Sequence, residues 1–89
     1  MKNKEKVKGF LLENFLFTDD PTELDDEESL LEKGVIDSTG VLEVIMFLEE
    51  SFDIDIADKE MVRDNLDSVN RISEFLKTKL GPESITLNG

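Results

Sequence analysis

Three stretches of this chain repeat apolar residues at intervals of three and four, and none sustains the alternation of a half-buried strand. A chain patterned this way buries its apolar surface by laying helices against one another. The first stretch runs from about Asn3, read as an N-cap, through Val7, Phe10, Leu11 and Phe15 to near Phe17. The second takes Asp37 as N-cap and ends near Phe52. At about 100° per residue it brings Val41, Ile45, Leu48 and Phe52 onto one stripe. The third, capped by Asp67 or Ser68, carries Val69, Ile72, Phe75, Leu76 and Leu80 before Gly81-Pro82 stops it.

The connections follow from composition. Thr18 to Glu28, TDDPTELDDEE, holds one leucine, a proline and a carboxylate cluster; it cannot pack and reads as a loop. Ser29-Leu30-Leu31-Glu32 fits a capping box whose leucines pin that loop to the core, with Gly34 breaking the turn. After Phe52, DIDI alternates for only four residues with no second strand to pair with. It reads as an extended linker whose Ile54 and Ile56 plug the core. Asp58 then caps a short helix through Met61 and Val62, reaching as far as Asp64. The expected fold is all-α: a four-helix bundle of three longer helices and a short third one, with a long loop after the first. One domain covers residues 1–80, and 81–89 form a frayed tail. At 89 residues the chain buries only about 60–65% of its unfolded surface, so the core is small.

Composition removes most catalytic chemistry. With neither cysteine nor histidine there is no disulfide, no thiolate, and neither the commonest general base nor the commonest zinc ligand. The chain is therefore not expected to be an enzyme. The acidic runs do not form a calcium loop: TDDPTELDDEE lacks the central glycine, and DIDIADKEMVRD places Ala57 and Asp58 where a ligand and the glycine belong. No dedicated metal site is expected. No apolar run approaches the ~20 residues that span a bilayer, and MKNKEKVKGF has no apolar h-region; a cytoplasmic, monomeric protein without stable membrane insertion is expected. Residues 18–60 hold 16 of the 22 acids against two bases, a net −14, while the remainder carries +2. Such a field repels nucleic acid and favours partners with basic surfaces.

The side of the second helix opposite its core stripe gathers Thr39, Glu43, Met46 and Glu50, with Phe47 at its flank and Glu49 nearby. An apolar side chain ringed by carboxylates suits a basic partner with an apolar centre. At the start of the same helix sits Ser38, in GVIDSTG. It lacks an activating base, there is no S-x-x-K spacing, and Lys33 lies in a turn, so self-catalysis is not its role. A helix start does suit a phosphate-bearing group, because its first N–H groups are unpaired and its dipole favours negative charge. Ser38 therefore reads either as an ordinary helix-start residue or as an attachment point modified by another enzyme.

The Asp37-Ser38 pair, the following LEVIMFLEESFDIDIADKE and the later LDSVNRISEFL together resemble an acyl carrier protein, over about residues 4–80. That superfamily also includes peptidyl and D-alanyl carriers. The resemblance implies a bundle of acyl-carrier type, with Ser38 bearing covalent 4′-phosphopantetheine beside Asp37 and cargo held as a thioester on the arm's thiol. It implies a phosphopantetheinyl transferase as partner, together with acyl- or aminoacyl-activating and acyl-processing enzymes that have basic docking surfaces. Thr39, Glu43, Met46, Glu49, Glu50 and Asp58 would form the recognition surface. GVIDSTG departs from the fatty-acid pattern: Thr39 and Gly40 stand where leucine and an acidic or polar residue are usual. Two apolar residues, not one, separate Gly34 from Asp37, so the stretch looks closer to G-L-L-D-S-M-G of the D-alanyl carriers. Three readings stay open: a stand-alone acyl carrier of fatty acid, lipid or specialised acyl metabolism; an aminoacyl or D-alanyl carrier; and an acidic helical interaction domain without a prosthetic group. A gap lined by Leu30, Ile36, Val41, Ile45, Ile56, Met61 and Ile72 could shelter an acyl chain, or these residues simply fill the core.

Overall fold

A computed structural model describes residues 2–80. The expected tail at 81–89, and with it the Gly81-Pro82 stop, lies outside the described residues. Four α-helices follow one another: α1 Lys2–Leu11, α2 Ser38–Phe52, α3 Arg63–Leu66 and α4 Val69–Leu80, with no strand among the described residues. The all-helical bundle with a long first connection and a short third helix is as the sequence implies. Val7, Leu11, Val44, Leu48, Val69, Ile72 and Leu76 meet at its centre, nearly all without solvent contact.

The first helix ends near Phe17 as expected but differs at its start and in its last turns. Asn3 lies inside it and does not cap it. From Leu12 to Leu16 the backbone widens into a π-turn, which adds a residue to one turn and rotates the side chains that follow. Asn14 Nδ2 donates to the Phe10 carbonyl there at 2.9 Å. The segment ends at Phe17, whose backbone is left-handed (φ 57°), with the Leu12 carbonyl accepting from the N–H groups of Phe17 and of Thr18.

The acidic connection is an ordered strap. Pro21–Glu23 form a 3₁₀ turn whose cap, Asp20, accepts from Thr22 N through Oδ1 at 2.9 Å. Its lone leucine corrects the expectation that the segment cannot pack: Leu24 is almost fully buried. Asp26 ties the strap to α1 by accepting from Lys8 Nζ at 2.7 Å and pairing with Lys4 at 3.0 Å. Its carbonyl also accepts from Asn70 N on α4 at 3.0 Å. Of the anticipated capping box only the forward half forms, Glu32 N donating to Ser29 Oγ at 3.1 Å, because the Glu32 carboxylate turns instead to Arg63. Leu30 is buried as expected, and Gly34 takes the positive φ (74°) that closes the turn.

Asp67 organises the other side. Its Oδ2 accepts from Ser29 Oγ at 2.6 Å and from Arg63 Nη2 at 3.0 Å, and its Oδ1 from Leu31 N at 3.1 Å. Ser68, not Asp67, caps α4, accepting from Arg71 N at 3.0 Å. The third helix is in two pieces: a 3₁₀ turn, Asp58–Glu60, and then α3, with Met61 and Val62 outside both. Asp58 is thus the first residue of that turn and not its cap. The Glu60 carboxylate instead reaches back to Ala57 N at 2.9 Å. Ile56 is buried and Ile54 partly so, as the linker reading anticipates.

Candidate functional site

Asp37 caps α2 as the sequence suggests: its backbone is extended, Oδ1 accepts from Gly40 N at 2.7 Å, and its carbonyl accepts from Val41 N. Ser38 is the first residue of the helix and its side chain is exposed. The side chains nearby do not activate it. Lys33 faces Glu28 at 3.5 Å and is exposed, while the Asp37 carboxylate is occupied by the cap. The hydroxyl therefore sits in reach of an outside enzyme, at the positive end of a 15-residue helix whose first turn contains no acidic residue.

Gly40 is buried, and a side chain there would have little room. A Cβ would stand 3.1 Å from Ile36 Cβ, 3.1 Å from Phe15 Cε1 and 3.4 Å from Asp37 Oδ1. The π-turn has delivered the Phe15 ring onto the first turn of α2, close against its backbone. Phe15, Val35, Asp37, Thr39 and Glu43 line an open hollow of about 300 Å³ at the start of α2, which Ser38 does not border.

Thr39, Glu43, Met46 and Glu50 are exposed along one side of α2, as its helical geometry requires. Leu42 joins them at 56% exposure beside Met46 at 59%. It was findable, since it lies one residue, about 100°, from the core stripe. The core stripe itself is centred slightly differently: Val44 is buried and Val41 only half-buried. Glu49 is diverted, its Oε2 accepting from Ile56 N at 3.0 Å and so holding the following linker. Asp58 is exposed on the separate 3₁₀ turn. Phe47 belongs to a seam between helices and not to the outer face. Its ring stacks on Phe10 at 4.0 Å and meets Phe52 edge-on, while Phe10 meets Phe15 edge-on.

On the other flank of α2, Leu31, Ile36, Val41, Met61, Val62 and Leu66, with Arg63, line a partly open, mainly apolar hollow of about 100 Å³. Three of these were anticipated as lining a gap. Leu30, Ile45, Ile56 and Ile72 do not line it and are packed in the core. Among the described residues there is no cluster of three or more potential metal ligands, and no helix is long and apolar enough to cross a membrane.

No family model matches the chain. It is 39% identical over 62 residues to a D-alanyl carrier protein of Streptococcus uberis, covering 70% of this chain and 77% of that one. To the D-alanyl carrier protein of Streptococcus mutans it is 41% identical over 59 residues, 66% and 73% of the two chains. With that of Streptococcus suis the match extends over 72 residues at 38% identity, 81% and 87% of the two chains. Among solved structures, the solution structure of a holo acyl carrier protein from Nitrosomonas europaea superposes with a TM-score of 0.76. It is 26% identical and covers 92% of this chain and all of that one.

Proposed function

This chain belongs to the carrier-protein superfamily that includes acyl and D-alanyl carrier proteins, and we propose that it carries a small aminoacyl group, of the D-alanyl type, on a phosphopantetheine arm attached to Ser38. Proteins of this superfamily are carriers and not enzymes, which accords with a site that offers a placed hydroxyl and no base. The observation that carries the reading is the exposed Ser38 at the capped start of α2. In the modification Ser38 Oγ would form a new P–O bond as the nucleotide part of coenzyme A leaves. Its proton would pass to a base that the transferase supplies. The arm, once in place, supplies a thiol for thioester chemistry.

Two observations favour the aminoacyl reading over a fatty acyl one. The named relatives are D-alanyl carriers, and GVIDSTG, with Thr39 and Gly40 after the serine, departs from the fatty-acid pattern. Exposed Glu43, Met46 and Glu50 are the proposed face for enzymes with basic surfaces, with Thr39 and Leu42 at its margins and Asp58 as a further acid.

Co-expression with a broad-specificity phosphopantetheinyl transferase, followed by intact-mass measurement, tests the attachment. One phosphopantetheine adduct is expected, and none in Ser38→Ala. An unmodified wild type would leave the acidic interaction domain as the better description, and an adduct surviving in Ser38→Ala would refute the assigned residue. Offering the modified protein to a D-alanine-activating enzyme and to a fatty-acyl-activating enzyme then decides the cargo, with loading by the first expected. Efficient loading by the second alone would overturn the aminoacyl reading.

A further inference from the structure

The Phe15 ring lies against Gly40 and the Phe10 ring stacks on Phe47, so the first helical segment runs antiparallel to α2. Between the two a shallow hollow opens to solvent, lined by Phe10 and Asn14 from the first segment and by Glu43, Met46, Phe47 and Glu50 from α2. Glu43, Met46 and Glu50 are the exposed residues of the proposed docking face. The hollow is therefore part of that face and extends it onto a second element.

Its polar rim is rich in acceptors. Glu43 and Glu50 have no salt-bridge partner among the described residues. Asn14 donates from Nδ2 to the Phe10 carbonyl at 2.9 Å, which leaves Oδ1 as its free acceptor. Neither lysine nor arginine lines the hollow. The far end of the same aromatic seam already holds a cation: Lys6 Nζ stands 5.1 Å from the ring centroid of Phe52, which meets Phe47 edge-on. Carboxylates around an aromatic and thioether lining are complementary to a second one.

The lining decides which cation. A lysine ammonium is compact and strongly hydrated, and an apolar lining offers nothing to replace its water. A guanidinium is planar and weakly hydrated. Its faces can lie on rings and sulfur while its in-plane N–H groups reach oxygens at the edge. We propose that this hollow seats an arginine side chain from the basic surface of a partner enzyme. Glu43 and Glu50 are seven residues apart, about 10 Å along α2. One guanidinium thus pairs with Glu43 and Asn14 Oδ1 and is attracted by Glu50 at longer range. The proposal rests on the reading of α2 as the docking face.

Titration of the unmodified chain at low salt with acetyl-Ala-Arg-Ala-amide, and separately with its lysine counterpart, tests it through backbone and side-chain NMR shifts. Saturable shifts centred on the Asn14 amide, Met46 and Phe47 are expected, with the arginine peptide bound at least about 5-fold more tightly than the lysine one. Asn14→Lys, at an exposed position, puts the chain's own cation on the rim and should weaken the arginine peptide about 10-fold. Glu13→Lys changes the charge by more at the neighbouring position, which lines a different hollow, and should stay within about twofold. Glu43→Gln, isosteric and exposed, gives a reading that does not depend on the first helical segment and should weaken binding about 5-fold. Equal affinity for the two peptides would overturn the choice of arginine. Equal losses in Asn14→Lys and Glu13→Lys, or wild-type affinity in Glu43→Gln, would overturn the seat, as would shifts that never saturate or that spread over the acidic strap. The peptide is read on the unmodified chain, so its failure to bind leaves Ser38 as the attachment point untouched, and a wild-type chain that a transferase cannot modify leaves the titration standing.

Discussion

An alanine at position 40 would strengthen the first turn of α2 in isolation, because glycine costs up to about 1 kcal/mol of helix propensity, and less near a helix start. In the folded chain the balance reverses. The added Cβ would stand 3.1 Å from both Ile36 Cβ and the Phe15 ring. Ile36 Cβ is one bond from the backbone and cannot swing aside, so the Phe15 ring or the Asp37 cap must move. Overpacking of this kind costs about 1–3 kcal/mol. Gly40→Ala is therefore expected to destabilise the domain by about 1 kcal/mol, read as a lower urea midpoint at unchanged slope. A higher midpoint would mean that Phe15 yields freely and that glycine is not required there. The sequence shows Gly40 as a departure from the fatty-acid pattern but not the reason for it, because the reason is a ring from 25 positions earlier, aimed by a π-turn that apolar spacing does not reveal.

At the scale of elements, α3 has only four residues and could not persist alone. It is held by Arg63 and Asp67, and the same aspartate holds the turn after the acidic strap through Ser29 Oγ and Leu31 N. Burial pushes the Asp67 carboxyl upward, but the hydrogen bonds from Ser29, Leu31 N and Arg63 outweigh it and leave the group below the ordinary carboxylate range. A carboxyl depressed in the fold stabilises above its unfolded value near 3.8, and that contribution is lost as pH falls through the lower folded value. Asp67→Asn is thus expected to cost about 1–2 kcal/mol at pH 7, with the gap to wild type narrowing below about pH 4. Denaturant midpoints at pH 7 and pH 3 check this, and a gap that stays constant would place the effect in packing and not in charge. Helices α1, α2 and α4 were legible because their periodicity reports contacts along one element. The Asp67 node, the buried Leu24 and the split third helix were not. Each depends on partners distant in sequence, such as Ser29 and Asp67, 38 positions apart. The candidate site divided in the same way: Asp37, Ser38 and the acidic face were readable from helix geometry, whereas the bond from Ile56 N to Glu49 and the stacking of Phe47 on Phe10 required the fold.

Across the whole molecule, one property acts on stability and on docking with opposite signs. The segment 18–60 carries a net −14, so folding concentrates like charge. Part of it is neutralised locally, Asp26 by Lys4 and Lys8 and Glu60 by Lys79 at 2.9 Å. Such surface pairs contribute only about 0–1 kcal/mol each, so screening them removes little. The exposed acids of the proposed docking face, Glu43 and Glu50 among them, have no salt-bridge partner among the described residues. Screening their mutual repulsion should therefore dominate, and the melting temperature should rise between low salt and roughly 0.5 M, where the Debye length shrinks to a few ångströms. Magnesium or calcium at millimolar levels should raise the melt in the same way, by screening the same acids. The same screening should weaken attraction to a basic enzyme, so kcat/KM for modification of Ser38 should fall over the salt range in which the melt rises. Calorimetry or dye-monitored melts in a sodium chloride series, paired with modification rates in the same buffers, measure both. A melt that falls with salt would show that the ion pairs outweigh the repulsion. A modification rate indifferent to salt would remove the acidic face from the docking step, leaving exposed apolar side chains of α2 such as Met46 to provide it.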